Sequence, residues 1–210
     1  MYVRYVKHAL DFALATVALI IFAPVYAVVA LLIVVMMGMP VLFSQERLGK
    51  HGKPFTMLKF RTMTNAHDAN GNLLPDARRM TPISNFLRRT SLDELPELVN
   101  VLTGQMSLIG PRPLFAHYRD RYTYEQMRRH DVRPGITGWA QVNGRNAISW
   151  EEKFALDIWY VDHVSPSLDL RILALTVGKV LRGSDVNQSS DTTMTEFLGI
   201  AQDREGASRG

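Results

Sequence analysis

Between Phe12 and Met39 the chain carries 28 consecutive residues without a charge. No other stretch restricts the fold as strongly. As one straight helix it would extend roughly 42 Å at about 1.5 Å per residue, beyond the ~30 Å hydrocarbon core of a bilayer. It is too long for a signal-peptide core, and no small-residue cleavage site follows it. A spanning helix is the first reading, and a core helix of a water-soluble domain competes with it. Two features favour a third. Pro24 lies mid-run, where it removes the hydrogen bond to the Ile20 carbonyl and bends the helix. The stretches on either side, 12–23 and 25–39, are each too short to cross. Basic residues also flank both ends, Arg4 and Lys7 before and Arg47, Lys50 and Lys53 after. A spanning helix usually shows such an excess on one side only. These features predict a helix–break–helix over 1–39 that dips into one leaflet and returns. Asp11 would then sit near the headgroups, beside Arg4 or Lys7.

The rest of a 210-residue chain suits one compact domain. Cysteine is absent, which excludes disulfide frameworks, Cys-ligated zinc and thiol catalysis. The formal charge of +4 conceals a polarised distribution: +1 over 1–39, +7 over 40–150 and −4 over 151–210. The basic centre is mostly arginine, whose planar fork matches phosphate oxygens. Charge alone leaves anionic lipid, nucleic acid and a phosphorylated small molecule as partners. No nucleic-acid module is recognisable, and the basic residues are not confined to one helix face. P-loop and dinucleotide-binding glycine fingerprints are also missing.

Short strands are predicted at 41–43 and 55–60, joined by the basic loop 47–53. Helices are predicted over about 83–89, 93–102, 115–130, 150–163 and 168–181, with a Pro/Gly turn at 107–113. The last helix lines up Leu170, Leu173, Val177 and Val180, a pattern that fits core packing or lying on lipid. From Ser184 the sequence is polar, and a mobile tail is expected. The fold class is α+β, mainly α. A membrane helix over 1–39 is followed by a small cytosolic domain over 40–183 with amphipathic interfacial helices, then the tail 184–210.

The most informative segment is 87–98. Ser91-Leu92-Asp93-Glu94 fits a capping box, and acids in a first turn complement the helix dipole. With Ser91 as N-cap, however, Pro96 falls at the fifth helical position, where a backbone donor is needed. Moving the N-cap to Asp93 puts Pro96 at the third position, where its missing N–H is harmless. Asp93 and Glu94 then stand together at a helix N-terminus, downstream of Arg88 and Arg89. Adjacent carboxylates repel unless they share a cation. A hard cation such as Mg²⁺, which takes one or two carboxylates plus phosphate oxygens, would relieve them. Spacing alone allows capping or metal binding. Gly110-Pro111-Arg112-Pro113 is either a rigid turn presenting Arg112 or a plain corner, and Arg145 after Asn143-Gly144 is likewise presented. His67-Asp68 and His130-Asp131 leave a metal phosphohydrolase open, although each lies beside turn residues.

Four blocks in order decide among these readings: 59–63 (KFRTM), 91–96 (SLDELP), 107–113 (SLIGPRP) and 133–145 (RPGITGWAQVNGR). Over residues 1–182 the chain resembles the small monotopic phosphoglycosyl transferases of the bacterial sugar-transferase family. The resemblance implies a re-entrant N-terminal helix broken at a Ser-Pro pair, which here reads Ala23-Pro24. It implies transfer of a sugar 1-phosphate from a UDP-sugar to polyprenyl (undecaprenyl) phosphate with release of UMP. That is the first membrane step of glycoconjugate assembly, at the cytoplasmic face of the bacterial plasma membrane. By the same resemblance Asp93 is the nucleophile that forms a phosphosugar-aspartyl intermediate, and Glu94 ligates Mg²⁺. Arg88, Arg112 and Arg145 contact phosphates, with Lys59 and Asp169 as further substrate-binding residues. A basic centre, Mg²⁺ and a helix N-terminus would offset the repulsion between a carboxylate and a diphosphate. The same field is expected to lower the pKa of Asp93. A catalytically silent protein that binds anionic lipid through its basic face is the reading from a different class.

Overall fold

Helix α1 runs from Lys7 to Met37 in the computed structural model, which describes residues 2–144, 148–182 and 196–199. Pro24 lies inside it, and the helix continues through that residue without the predicted break. One face of α1 packs on the rest of the molecule along its whole length. Ala15 meets Phe55, Leu98, Val101 and Met106, while Val29 and Ile33 meet Phe60 and Leu87. The opposite face stays uncovered, with Ile20, Ile21, Leu31 and Val35 between 64% and 74% exposed. Apolar exposure on that scale marks a surface that contacts something other than water.

Polar side chains fasten both ends of α1 to the domain. At the N-terminal end Lys7 Nζ donates to Asp169 Oδ2 at 2.6 Å. Asp11 accepts from Ser107 Oγ at 2.7 Å and the Leu108 N–H at 3.2 Å. Of the expected neighbours of Asp11, Arg4 or Lys7, Lys7 is taken by a different carboxylate, and Asp11 accepts from neutral donors instead. At the C-terminal end the Arg61 guanidinium donates to the carbonyls of Met37, Gly38 and Met39. Those include carbonyls that a helix end leaves without an internal partner.

Strands β1 (Leu42–Leu48) and β2 (Pro54–Phe60) form an antiparallel hairpin in which Leu42 pairs with Phe60 and Leu48 with Pro54. Inward Phe55, Met57 and Phe60 reach the core beside α1. Helices α2 (Asp76–Arg79) and α3 (Pro82–Arg89) follow. Thr81 and Ser84 cap α3 reciprocally, with Pro82 at its start. After α4 (Glu97–Leu102) comes β3 (Ser107–Ile109), parallel to β4 (Gly135–Thr137). A strand thus opens the segment read as a turn at 107–113. Its partner lies 28 residues downstream in sequence, and three residues are too few for periodicity to register. Glycine is required where these segments cross. A Cβ on Gly110 would lie 2.3 Å from the Arg133 carbonyl oxygen, and one on Gly135 2.1 Å from the Gly110 nitrogen.

The helix predicted over 115–130 is broken. Residues Ala116–Arg121 and Arg128–His130 are 3-10 turns around a short α5 (Tyr124–Met127). Thr123 caps α5 by accepting from the Gln126 N–H, so a new helix starts there. Helices α6 (Trp139–Asn143), α7 (Trp150–His163) and α8 (Pro166–Arg182) complete the domain. On α8, Leu168 and Ile172 enter the core, while Leu170, Leu175, Val177 and Val180 are exposed. Of the two readings of that helix, its outer apolar stripe fits a lipid surface. The expectation of a mobile 184–210 is corrected at 196–199. Phe197 is completely buried against Tyr118, Tyr122, Trp150 and Phe154, because an aromatic core accepts one more ring. Residues 183–195 and 200–210 lie outside the described residues.

Candidate active site

Helix α3 ends at Arg89, and two residues later Ser91 adopts φ 56° and ψ 19° in the left-handed region. That backbone is unfavourable for a residue with a Cβ, and such positions gather at functional sites. The reversal throws Leu92–Glu94 into one 3-10 turn, and α4 begins only at Glu97, with Pro96 at its N-cap position. The placement of Asp93 as a helix N-cap is therefore corrected. Ser91 makes the turn instead, and the free N–H groups of α4 start beyond Pro96. The turn is braced from α1, because the Tyr26 hydroxyl donates to the Leu95 carbonyl.

Two cations converge on Glu94. Its Oε1 accepts from Lys59 Nζ of β2 at 2.8 Å and from Arg112 Nη2 at 2.6 Å. Burial opposes its ionisation, but Arg112 and Lys59 outweigh burial and hold Glu94 well below the usual carboxylate range. Lys59 Nζ also pairs with Glu97 Oε1 at 3.2 Å, so one ammonium bridges both acids. Burial, followed by the charge of Glu94, pushes Glu97 up to about 7. Asp93 is 9% exposed. Burial and then Glu94 push its pKa up to about 6, against the opposing fields of Lys59, Arg112 and Arg88. The expected lowering of the Asp93 pKa is thus reversed. Desolvation exceeds the positive field when none of those cations forms an ion pair with it.

Asp93, Glu94, Lys59 and Arg112 line a cavity of about 790 Å³, whereas the buried Glu97 does not reach it. Lys59, Arg88, Asp93, Glu94 and Arg112, five of the residues singled out from the sequence, share its wall. Arg88 is steadied by donating from Nε to Thr62 Oγ1 at 3.0 Å. Asp169 does not join them: it is buried among Lys7, Tyr2 and Tyr160, accepting from all three. Its carboxylate ties α1 to α7 and α8 and lies outside this cavity. Arg145 lies outside the described residues. Arg47 and Lys153 also line the cavity, and sequence reasoning did not select them. A second cavity of about 260 Å³ adjoins the first and shares Ser91 and Glu94 with it. Its wall is mostly apolar, from Ala18 and Phe22 of α1 to Leu173 and Val180 of α8.

The donor chemistry suits a hard cation. Asp93 is uncommitted to any ion pair among the described residues and lines the cavity beside Glu94. No three His, Asp or Glu side chains among the described residues are arranged to hold a metal by themselves. A cation here would complete its shell with phosphate oxygens and water, the habit of Mg²⁺. The His-Asp pairs offer no competing centre. His130 is buried with Nδ1 3.1 Å from the Gly49 carbonyl oxygen. Burial pushes it down to about 3, so it stays neutral. Neither His67 nor His130 lines the cavity.

Residues 2–183 match the family model described as bacterial sugar transferase. The chain belongs to that family. This sugar transferase is 59% identical over 162 residues to the sugar transferase EpsL of Bacillus subtilis, covering 77% of this chain and 80% of that one. It is 41% identical over 188 residues to the UDP-glucose:undecaprenyl-phosphate glucose-1-phosphate transferase of Escherichia coli, with 84% of this chain covered. It is 36% identical over 196 residues to the undecaprenyl-phosphate galactose phosphotransferase of Salmonella typhimurium, with 85% covered. The matches span only 40% and 41% of those two longer relatives.

Proposed function

We propose that this chain transfers a sugar 1-phosphate from a UDP-sugar to polyprenyl (undecaprenyl) phosphate, releasing UMP, through a phosphosugar ester on Asp93. One observation carries the reading. The Asp93–Glu94 turn stands where a large cation-lined cavity meets a smaller apolar one bounded by α1 and α8. A polar nucleotide sugar fits the first and the start of a prenyl chain the second. The Escherichia coli relative is named for UDP-glucose and undecaprenyl phosphate, and the Salmonella typhimurium one for undecaprenyl phosphate and galactose.

In the first half-reaction an oxygen of ionised Asp93 attacks the sugar-bearing phosphorus. The bond from that phosphorus to the bridging oxygen breaks, and its electron pair leaves on UMP. Lys59, Arg88 and Arg112 line the same cavity and offset the charge on the diphosphate. In the second half-reaction a phosphate oxygen of the lipid attacks the same phosphorus and returns the carboxylate to Asp93. Glu94, with Asp93 beside it, would hold Mg²⁺, which neutralises phosphate charge when bound. Glu94 is fixed for that role by Lys59 and Arg112.

The membrane arrangement belongs to the same proposal. Helix α1 enters one leaflet, bends about Pro24 and returns. What supports this is that both of its ends are tied to one domain, through Lys7–Asp169 and through Arg61. A helix crossing the bilayer upright would carry one end away from that domain. Basic residues at both ends suit the cytoplasmic face and its anionic lipid. The test is UMP release across a panel of UDP-sugars, with polyprenyl phosphate and Mg²⁺. Multiple-turnover release that needs donor, acceptor and Mg²⁺ is expected, with at most one equivalent of UMP per enzyme released before the acceptor is added. Vesicle binding without UMP release from any donor would instead establish a silent surface protein.

A further inference from the structure

Residues 196–199 are held against the domain at four separate points. The Phe197 ring is completely buried among Tyr118, Tyr122, Trp150 and Phe154, whose ring centres lie 5.1–5.7 Å away. Its backbone N–H donates to the Tyr118 hydroxyl at 3.3 Å, and its carbonyl accepts from Arg121 Nη1 at 2.5 Å. The same Nη1 reaches Glu196 Oε1 at 2.7 Å, and His117 Nε2 lies 3.7 Å from that oxygen. Plain core packing buries a ring. It does not also engage both backbone groups of that residue and the acid before it. A pocket that recognises a peptide does: an aromatic anchor supplies energy, main-chain bonds set register and a charge adds selectivity.

The residues that grip this segment continue into the wall of the large cavity. Tyr118 and Arg121 belong to the 3-10 stretch Ala116–Arg121. Three residues make one 3-10 turn, so the two side chains fall in one row. Phe115 joins the head of that row, because its carbonyl accepts from the Tyr118 N–H at 3.1 Å. At one end Arg121 holds Glu196 and Phe197. At the other, Phe115 lines the cavity and carries Arg47, whose Cζ lies 3.8 Å from its ring centre. Between them Tyr118 meets the Phe115 ring edge-on at 5.4 Å and the Phe197 ring at 5.7 Å. Rings packed this closely transmit displacement, since a void opened beside one is closed only by movement of its neighbours.

We infer that Glu196–Phe197 is a docked peptide that buttresses the cavity wall, with Phe197 a positioning residue that holds Phe115 and Arg47 where the nucleotide binds. The inference rests on the transfer reading above, in that the large cavity takes the nucleotide of the donor. Two consequences separate a buttress from ordinary core. Loss of ordinary core lowers the number of folded molecules and leaves the affinity of each unchanged, whereas loss of a buttress changes the affinity itself. The pocket can also be refilled from outside by a short peptide, since two consecutive residues supply all four points of attachment.

Equilibrium binding of UMP to the full chain in detergent tests this, using wild type, Phe197→Ala and Phe197→Leu. In Phe197→Ala the affinity should fall about five-fold or more at unchanged stoichiometry, and less in Phe197→Leu, which refills part of the pocket. The peptide acetyl-Glu-Phe-Leu-Gly-amide, at millimolar concentration, should restore most of the affinity, and acetyl-Glu-Ala-Leu-Gly-amide should not. Unchanged affinity in Phe197→Ala, or a loss that the first peptide does not restore, would overturn the buttress and leave the transfer reading untouched. Should Phe197→Ala fail to fold by circular dichroism, Phe197→Leu carries the comparison, with a smaller loss that the same peptide restores. No loss there would overturn the buttress equally. A wild type that binds no UMP would sink the transfer reading and the buttress with it.

Discussion

Two buried polar clusters hold this molecule together, and they are built on opposite plans. The first ties α1 to the domain: Asp169 accepts from Lys7, Tyr2 and Tyr160 at 2.6–2.7 Å, while Asp11 accepts from Ser107 and Leu108. Its charges and donors are matched. The second, around Asp93, leaves that carboxylate without an ion pair among the described residues, sets Glu94 and Glu97 about a single lysine, and opens on a cavity. A satisfied polar knot gives orientation, whereas an unsatisfied one reserves interactions for a ligand. Replacing residues in the two clusters should therefore have opposite signatures.

The largest effect is expected from Asp93→Asn. Removing a covalent nucleophile costs on the order of 10⁴-fold or more in turnover. The thermal midpoint should hold or rise, because a buried carboxylate lacking an ion pair has become neutral. Asp169→Ala should behave the other way. Breaking a buried ion pair costs about 3–5 kcal/mol, so the thermal midpoint falls steeply while turnover per folded molecule is retained. Turnover lost in Asp169→Ala at full stability would erase the contrast between the clusters.

The acidity of the open cluster offers a finer probe. Asp93 is raised to about 6 and attacks only when ionised, so kcat/KM for the UDP-sugar should decline with unit slope below about pH 6. A profile flat down to pH 4.5 would contradict that. The smallest effect belongs to Glu97→Gln. Glu97 sits at about 7 in the fold against an ordinary 4.5. Its contribution to stability is full below 4.5 and is lost as the pH rises through about 7. The amide variant should therefore melt a few degrees higher than wild type at pH 8 and no differently near pH 4, as thermal scans at the two values would reveal.

Local signals made much of the scaffold readable. The capped helix over 150–163 is found as Trp150–His163, and the helices predicted at 83–89 and 168–181 extend by only one or two residues at their ends. Their caps and apolar spacing are internal to each segment. The β3–β4 pairing was hidden because it joins two three-residue strands that meet only through tertiary packing. The break in 115–130 turned on Thr123 acting as a cap, and apolar spacing carries no trace of that. At the site, Lys59, Asp93, Glu94 and Arg112 were legible because they sit in recognisable blocks, and Arg88 because it stands just upstream of one. Arg47 and Lys153 were not. Arg47 reads as a membrane-flanking charge, and Lys153 as one more residue of a capped helix. Only the folded chain turns both onto the cavity.

The central claim is that the open cluster holds a carboxylate that becomes covalently esterified. Its most direct test is mass spectrometry of the enzyme after incubation with a UDP-sugar and Mg²⁺, without lipid acceptor. The account predicts a phosphosugar mass on the peptide containing Asp93, which disappears when polyprenyl phosphate is added. An unmodified Asp93 peptide from enzyme that releases UMP only when the acceptor is present would contradict it.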